Sequence, residues 1–342
     1  MTLTRKHFGA ALCALLAALT LLASPARAAA SIDVDRTGSL SIRYAHDGAP
    51  VSGARFDLWR VADVDADGAF TLSGDFAGCP VQLTGLSGGS WRALAETLAA
   101  YAARGAFAPL LSAETDADGT LRFAPLRTGL YLVTGQPFSD GQYVYTAEPF
   151  LVSLPSPDGD GWRYALDASP KHTRDDAQPD DGSTVTRRVL KRWDDGGDAS
   201  LRPDAITVYL LRDGALCDTV TLSAANGWRW HWDALPKYGD TGLPIDWQVA
   251  EEPVSGYTVS LLRESVTFVV TNTRTAAPDT PDPPASPDAP DTPDTPDSGG
   301  SPDGGRLPQT GQLWWPVPVL AALGLASLLC GALLRRRERA DA

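Results

Sequence analysis

Lysine and asparagine are nearly absent from this 342-residue chain. Beyond the first thirty residues only Lys171, Lys191 and Lys237, and only Asn226 and Asn272, occur. Each of these positions is therefore informative by itself. Cysteine is equally sparse. Cys13 and Cys330 fall in terminal apolar runs, which leaves Cys79 and Cys217. A disulfide framework is excluded, while a single bridge between those two stays open. The formal net charge is −13, with aspartate far commoner than glutamate. No basic stripe exists to neutralise phosphates, so nucleic acid is not an expected partner. Only one of the four histidines, His231, falls in a predicted strand. Metal-ligand spacing, a nucleophile elbow and a phosphate loop are all missing, so no metal, no cofactor and no turnover of an outside substrate are expected. The aspartate-rich stretches Asp63–Gly68 and Asp116–Gly119 lack the full calcium-loop spacing with its terminal glutamate, and read as hairpin turns.

The termini are rich in signals. Arg5 and Lys6 precede an apolar run from Phe8 to Ala23, closed by the small residues Ala26-Arg27-Ala28-Ala29-Ala30. Residues 1–30 thus have the layout of a secretory signal peptide, cleaved after Ala28 or Ala30. At the other end, Leu307-Pro308-Gln309-Thr310-Gly311 precedes residues 313–334, an uncharged stretch long enough to span a bilayer as a helix. Residues 335–342 begin with three arginines, which stay on the cytoplasmic side and hold the pentapeptide just outside. In this order, residues 307–342 resemble the LPxTG sorting signal of Gram-positive surface proteins. The resemblance implies a sortase as partner, cutting between Thr310 and Gly311 and keeping Thr310 as a thioester. An amine then resolves the thioester, from a peptidoglycan precursor or from another pilin subunit. It further implies a cell-surface protein covalently anchored to wall or pilus, in contact with the membrane only before sorting.

Between the signals lie roughly 280 residues, room for two ordinary domains. From Gly38 to Lys171 the chain reads as strands bounded by Gly, Asp and Pro, among them Ser39–Tyr44, Ala54–Val61, Leu121–Ala124, Gly129–Thr134 and Pro149–Leu154. One insertion differs. Leu94, Leu98 and Tyr101 recur at helical spacing, and Ser90 is placed to cap, so Ser90–Tyr101 predicts a short amphipathic helix. Residues 31–171 form the first domain, and 172–183, polar and acidic, read as a linker. Residues 184–274 hold about seven short strands, Thr186–Trp193, Ile206–Arg212, Cys217–Leu222, Trp228–Trp232, Asp246–Glu251, Tyr257–Leu261 and Val266–Thr273. The expected fold is all-β, two immunoglobulin-like sandwiches in tandem. Residues 275–306 turn into Pro-Asp-Thr repeats, a polyproline-II-like spacer with a reach on the order of 90 Å. Trp228, Trp230 and Trp232 alternate onto one face, which fits either an aromatic core strand or a sugar platform.

Strand alternation exposes a polar set inside the second domain. Lys191 shares a face with Val189 and Trp193, Glu251 with Trp247 and Val249, and Asn272 with Phe268 and Val270. Three polar groups on apolar faces would be costly unless they meet. Glu252 points the other way and reads as solvated. The segment resembles a collagen-adhesin B-type (CnaB) domain through Val189–Asp195, Arg202-Pro203, Val208–Gly214, Asn226-Gly227-Trp228, Leu235–Tyr238, Val249–Tyr257 and Thr271–Thr273. The resemblance implies an intramolecular isopeptide bond between Lys191 and Asn272, helped by Glu251. That single self-directed turnover would be the only catalysis. The loop so closed encloses 81 residue steps, from position 191 to 272. On the loop-entropy scale used for disulfides such a closure is worth about 4 kcal/mol.

The first domain lacks this set. Gly129–Gly135 resembles the strand that bears Glu251, with Gly135 where the glutamate would align, and Ser41–Tyr44 offers no lysine. Its end, Trp162-Arg163-Tyr164-Ala165-Leu166-Asp167-Ala168-Ser169-Pro170-Lys171, resembles the WxxxVxVYPK motif of sortase-built pilins, with Ser169 departing from the usual tyrosine. Tyr145–Pro155 is similar to the N-terminal domain of the same proteins. That likeness implies Lys171 as the amine that accepts a neighbour's Thr310, whereas Lys237 reads as a solvated loop residue. The expected function is a pilus subunit. The alternative is a monomeric wall-anchored adhesin whose first domain binds a host or neighbour-cell ligand.

Overall fold

The computed structural model describes residues 31–86, 88–159, 161–177 and 182–275. The expected signal peptide, nearly all of the spacer, the pentapeptide Leu307–Gly311 and the membrane-spanning stretch lie outside the described residues. No helix among those described is long and apolar enough to cross a membrane.

The first sandwich grows from period-two burial. In Gly38–Arg43, Leu40 and Ile42 point inward while Arg43 is exposed. That strand lies between Ala165–Ala168, which runs parallel to it, and Thr120–Leu126, which runs antiparallel. The facing sheet is ordered Phe150–Leu154, Gly129–Gly135, Arg55–Val64, Phe70–Leu72, with Leu111–Glu114 also paired to Arg55–Val64. Between the sheets Leu40, Ile42, Tyr44, Phe56, Leu58, Phe123, Tyr131 and Val133 are buried together. Tyr44 and Phe56 meet edge to face at 5.1 Å, the arrangement favoured by ring quadrupoles.

The two aspartate turns differ. Asp65 closes a true hairpin, its carboxylate accepting the Asp67 and Ala69 amides. Asp116 accepts the Asp118 and Thr120 amides in the same way, yet the strands it joins belong to opposite sheets. This second turn is therefore a crossover rather than the expected hairpin. Gly119 completes it with φ +69°, where a Cβ would sit 2.4 Å from the Tyr44 carbonyl oxygen.

Part of the expected linker is a strand. His172–Asp176 pairs antiparallel with Tyr143–Ala147. All its residues but His172 are exposed, which is why its composition reads as a solvated connection. Its anchors are local: His172 sits edge-on to Tyr44 and its Nε2 lies 3.0 Å from Nδ1 of His46, while the Arg174 guanidinium covers the Tyr143 ring. Of the rest of 172–183, residues 178–181 lie outside the described residues.

The helix spans Gly88–Arg104, so Ser90 belongs to its first turn instead of capping it. Burial runs well beyond one stripe and includes Ala93, Leu94, Ala95, Thr97, Leu98, Ala99, Ala100, Tyr101 and Ala102. A helix lying on a single sandwich shows a broad polar face. Two bodies cover this one.

The second sandwich has the seven expected strands. One sheet is ordered Arg229–Pro236, Thr184–Asp194, Thr267–Arg274, Tyr257–Glu264, and the other Ala215–Ser223, Ala205–Arg212, Trp247–Glu251. The first and last strands of the unit are parallel neighbours, from Arg188↔Thr267 to Asp194↔Thr273. The tryptophan row is not uniform: along the edge strand Arg229–Pro236 Trp232 is buried and Trp230 exposed, with Trp228 before it half-buried. Cys79 is buried and Cys217 exposed, and both are free thiols.

Candidate functional site

Lys191 and Asn272 come from the adjacent parallel strands of the four-stranded sheet, and Glu251 from the sheet facing it. Alternation directs all three into the space between the sheets. Lys191 is 4 %, Glu251 2 % and Asn272 1 % exposed, so water does not solvate them. The Lys191 Nζ donates to Glu251 Oε2 at 2.9 Å, and Asn272 Nδ2 donates to Glu251 Oε1 at 2.6 Å. One carboxylate thus holds the amine and the carboxamide together. Asn272 Oδ1 is buried with no hydrogen-bond partner among the described residues.

Burial dominates the electrostatics. It pulls the Lys191 ammonium down to about 8, against the opposing attraction of Glu251. It pushes Glu251 up, with the charge of Lys191 and the bonds from Lys191 and Asn272 acting the other way. Both shifts favour the uncharged pair, a free amine beside a carboxylic acid. The wall around them is aromatic. Lys191 Nζ lies 4.5 Å from the centre of the Trp193 ring, which in turn meets Trp228 and Tyr257 edge-on at 5.2 and 5.1 Å.

Below this wall Asp195 is gripped by Arg202, whose Nε and Nη2 donate to the two carboxylate oxygens at 2.6 and 2.7 Å. The guanidinium bonds and the Gly197 amide hold Asp195 down at about 2. This pair fixes the turn that follows Lys191's strand.

Residues 187–273 match the family described as the Cna protein B-type domain. The collagen adhesin of Staphylococcus aureus is 33% identical over 88 residues, which make up 25% of this chain and 7% of that protein. Among solved structures, a single B repeat unit of the collagen binding surface protein of Staphylococcus aureus is 16% identical, covering 70% of this chain and 99% of that one at a TM-score of 0.26. The full-length major pilin SpaD of Corynebacterium diphtheriae is 19% identical, covering 72% and 66% of the two chains at 0.28.

Elsewhere the structure keeps the singled-out residues apart from this centre. Lys171 is exposed, but its main chain is fixed: the Lys171 carbonyl accepts the Glu148 amide at 2.8 Å, and Pro170 before it is buried. Lys237 is exposed beside the Tyr238 ring. Glu252 is exposed, bonded to the Tyr209 hydroxyl and paired with Arg104 of the helix.

Alternation within the B-type domain does not reveal the residues that reach it from outside. Tyr101 donates its hydroxyl to the main-chain carbonyl of Glu251 at 2.9 Å, and Thr97, Glu96 and Pro80 accept amides from Tyr257–Glu264. The available signal is the stretch Ala93–Ala102, where Glu96 is the only charge. That is too apolar for a helix with one covered face.

Proposed function

We propose that the B-type domain closes on itself by an isopeptide bond between Lys191 and Asn272, and that the chain is a sortase-processed structural subunit of a Gram-positive surface, joined to its neighbours through Thr310. The observation that carries the first half is one buried carboxylate bonded at once to a lysine amine and an asparagine amide.

The step balances without any outside reagent. Nζ of Lys191 attacks Cγ of Asn272, the Nζ–Cγ bond forms, and the Cγ–Nδ2 bond breaks. Nζ gives up one proton to Glu251, which passes its own to Nδ2 and is left protonated as before, and Nδ2 departs as ammonia. The amine must be uncharged to attack, and burial lowers its proton affinity toward that state. The acid must be protonated to polarise the amide, and burial raises its proton affinity accordingly. Turning the carboxamide of Asn272 would present its unpartnered Oδ1 to the protonated Glu251, which then donates to the oxygen that gains charge in the tetrahedral intermediate. Intact-mass measurement tests the bond. The wild-type chain is expected one ammonia lighter than its sequence, and Glu251→Ala at full mass. A full-mass wild type rules the bond out.

Lys171 is the proposed acceptor for Thr310 of another copy. Its support is the pilin-like stretch Trp162–Lys171 and an exposed side chain on a fixed main chain. The other exposed lysine among the described residues, Lys237, has no such motif. Co-expression with the cognate sortase is expected to give covalent ladders with wild type and single subunits with Lys171→Arg, because a guanidinium stays protonated. Ladders lost only in Lys237→Arg would move the role there. No ladders in any variant would make the chain a singly anchored adhesin.

A further inference from the structure

The edge strand Tyr257–Glu264 would leave three main-chain amides unpaired on its outer side. Each finds an acceptor in the first unit. The Val259 amide donates to the Pro80 carbonyl at 2.6 Å, Leu261 to Thr97 Oγ1 at 2.8 Å, and Arg263 to the Glu96 carboxylate at 2.6 Å. The opposite sheet ends at the same side in Trp247–Glu251, also an edge, and there Tyr101 holds the Glu251 carbonyl. Leu94, Leu98 and Tyr101 share one continuous buried core with Trp247, Val249, Val259 and Leu261. The open side of the B-type sandwich is thus closed by the helix of its neighbour.

We infer that this helix is a wall of the cross-linking site and that Tyr101 and Thr97 are positioning residues for the reaction, so that the Lys191–Asn272 bond forms efficiently only when the first sandwich is seated on the second. The inference rests on the proposed bond. Its physical basis is twofold. Glu251 ends a five-residue strand held on one side only by Ala205–Arg212, so its main chain, and with it the reach of its carboxylate to both partners, depends on the hydroxyl that grips its carbonyl. The same helix also keeps water out. Thr97 is 1 % and Tyr101 7 % exposed. Hydrating the pair would favour the charged lysine and glutamate, which do not react. Chain order suits this scheme, since the helix precedes the B-type domain and is synthesised before it.

The test uses the full mature chain, with the fraction lighter by one ammonia followed over time by intact mass. The combined Thr97→Val and Tyr101→Phe variant is expected to cross-link about tenfold more slowly than wild type, as two lost buried hydrogen bonds would imply. Thr97→Ser keeps an acceptor and should restore most of the rate to a Thr97→Val chain. A purely structural weakening would leave the pH dependence alone. Here the rate requires one proton shared by Lys191 and Glu251, so it follows a bell in pH, with the limbs drawn together by burial. Tyr101, Cys79, Arg104 and Glu252 are the other titratable groups facing this corner. Loosening the helix rehydrates the pair and should broaden the bell while lowering its top. Equal rates and an unchanged bell in the combined variant, with a wild type that does lose ammonia, would overturn the role of the helix and leave the bond standing. A wild type at full mass would overturn both.

Discussion

Both sandwiches seat their first strand beside a late strand running parallel to it, Gly38–Arg43 against Ala165–Ala168 and Thr184–Asp194 against Thr267–Arg274. The facing sheets match as well. Gly135 stands opposite Phe56 as Glu251 stands opposite Val208. A Cβ on Gly135 would lie 2.8 Å from the Phe56 ring and 2.9 Å from the Ala147 methyl. The space that takes a glutamate in the second unit is filled by a phenylalanine ring in the first. The same frame therefore supports two kinds of interior, one of packed rings and one holding an amine, an acid and an amide. The residue at one strand end goes with each interior, and the first strand Gly38–Arg43 carries no lysine to match Lys191.

The comparison is broken most forcefully at Asn272. Asn272→Ala removes the electrophile and leaves Lys191 and Glu251 buried, so the expected loss is that of the closed loop, about 4 kcal/mol, seen as a thermal midpoint lower by more than about 10 °C. A midpoint within a few degrees of wild type would mean that the lock adds little. Next in size is Gly135→Glu, which should destabilise the first sandwich by about 1–3 kcal/mol through overpacking alone and give no loss of ammonia. Urea unfolding and intact mass check both halves, and a stable Gly135→Glu chain would deny the packing argument. With no lock of its own, the first sandwich should also exchange its amide protons faster than the second. Slower exchange in Gly129–Gly135 than in Thr267–Arg274 would reverse that order.

The smallest effect concerns pH. Asp195 is held down at about 2 by Arg202 in the folded chain. Its stabilisation is complete above the ordinary carboxylate value near 3.8 and is lost as pH falls through about 2. Wild type should therefore lose more stability than Asp195→Asn between pH 5 and pH 2, measured by urea midpoints. Parallel curves would show that the pair contributes nothing.

Alternation and turn residues make most strands of both units legible, since each has one buried and one exposed face. They place Lys191, Glu251 and Asn272 on inward faces for the same reason. The misread elements share a different cause. His172–Asp176 is an edge strand whose side chains face water, so its composition resembles a linker. The Asp116 turn has hairpin chemistry, but which sheet receives the next strand depends on distant pairing. Trp230 keeps core parity and yet is exposed, on an edge strand. The docking of the helix is furthest from view. Its partners lie more than a hundred residues away, and Thr97 and Tyr101 act on main-chain groups that carry no residue identity.

The parallel pairing of the first and last strands of the B-type domain also fixes how it would carry tension. Pulling Thr184 and Arg274 apart shears the ladder between the two strands, so its bonds resist together instead of opening one by one. With the proposed bond between Lys191 and Asn272 in place, the force would leave the first strand at Lys191 and continue from Asn272. Residues 192–271, with the whole facing sheet, would then be spared the strain, and only Thr184–Leu190 and Thr273–Arg274 would be stretched. A chain of such units would lengthen under load by a few residues each and spring back, with its folded interior acting as a passenger.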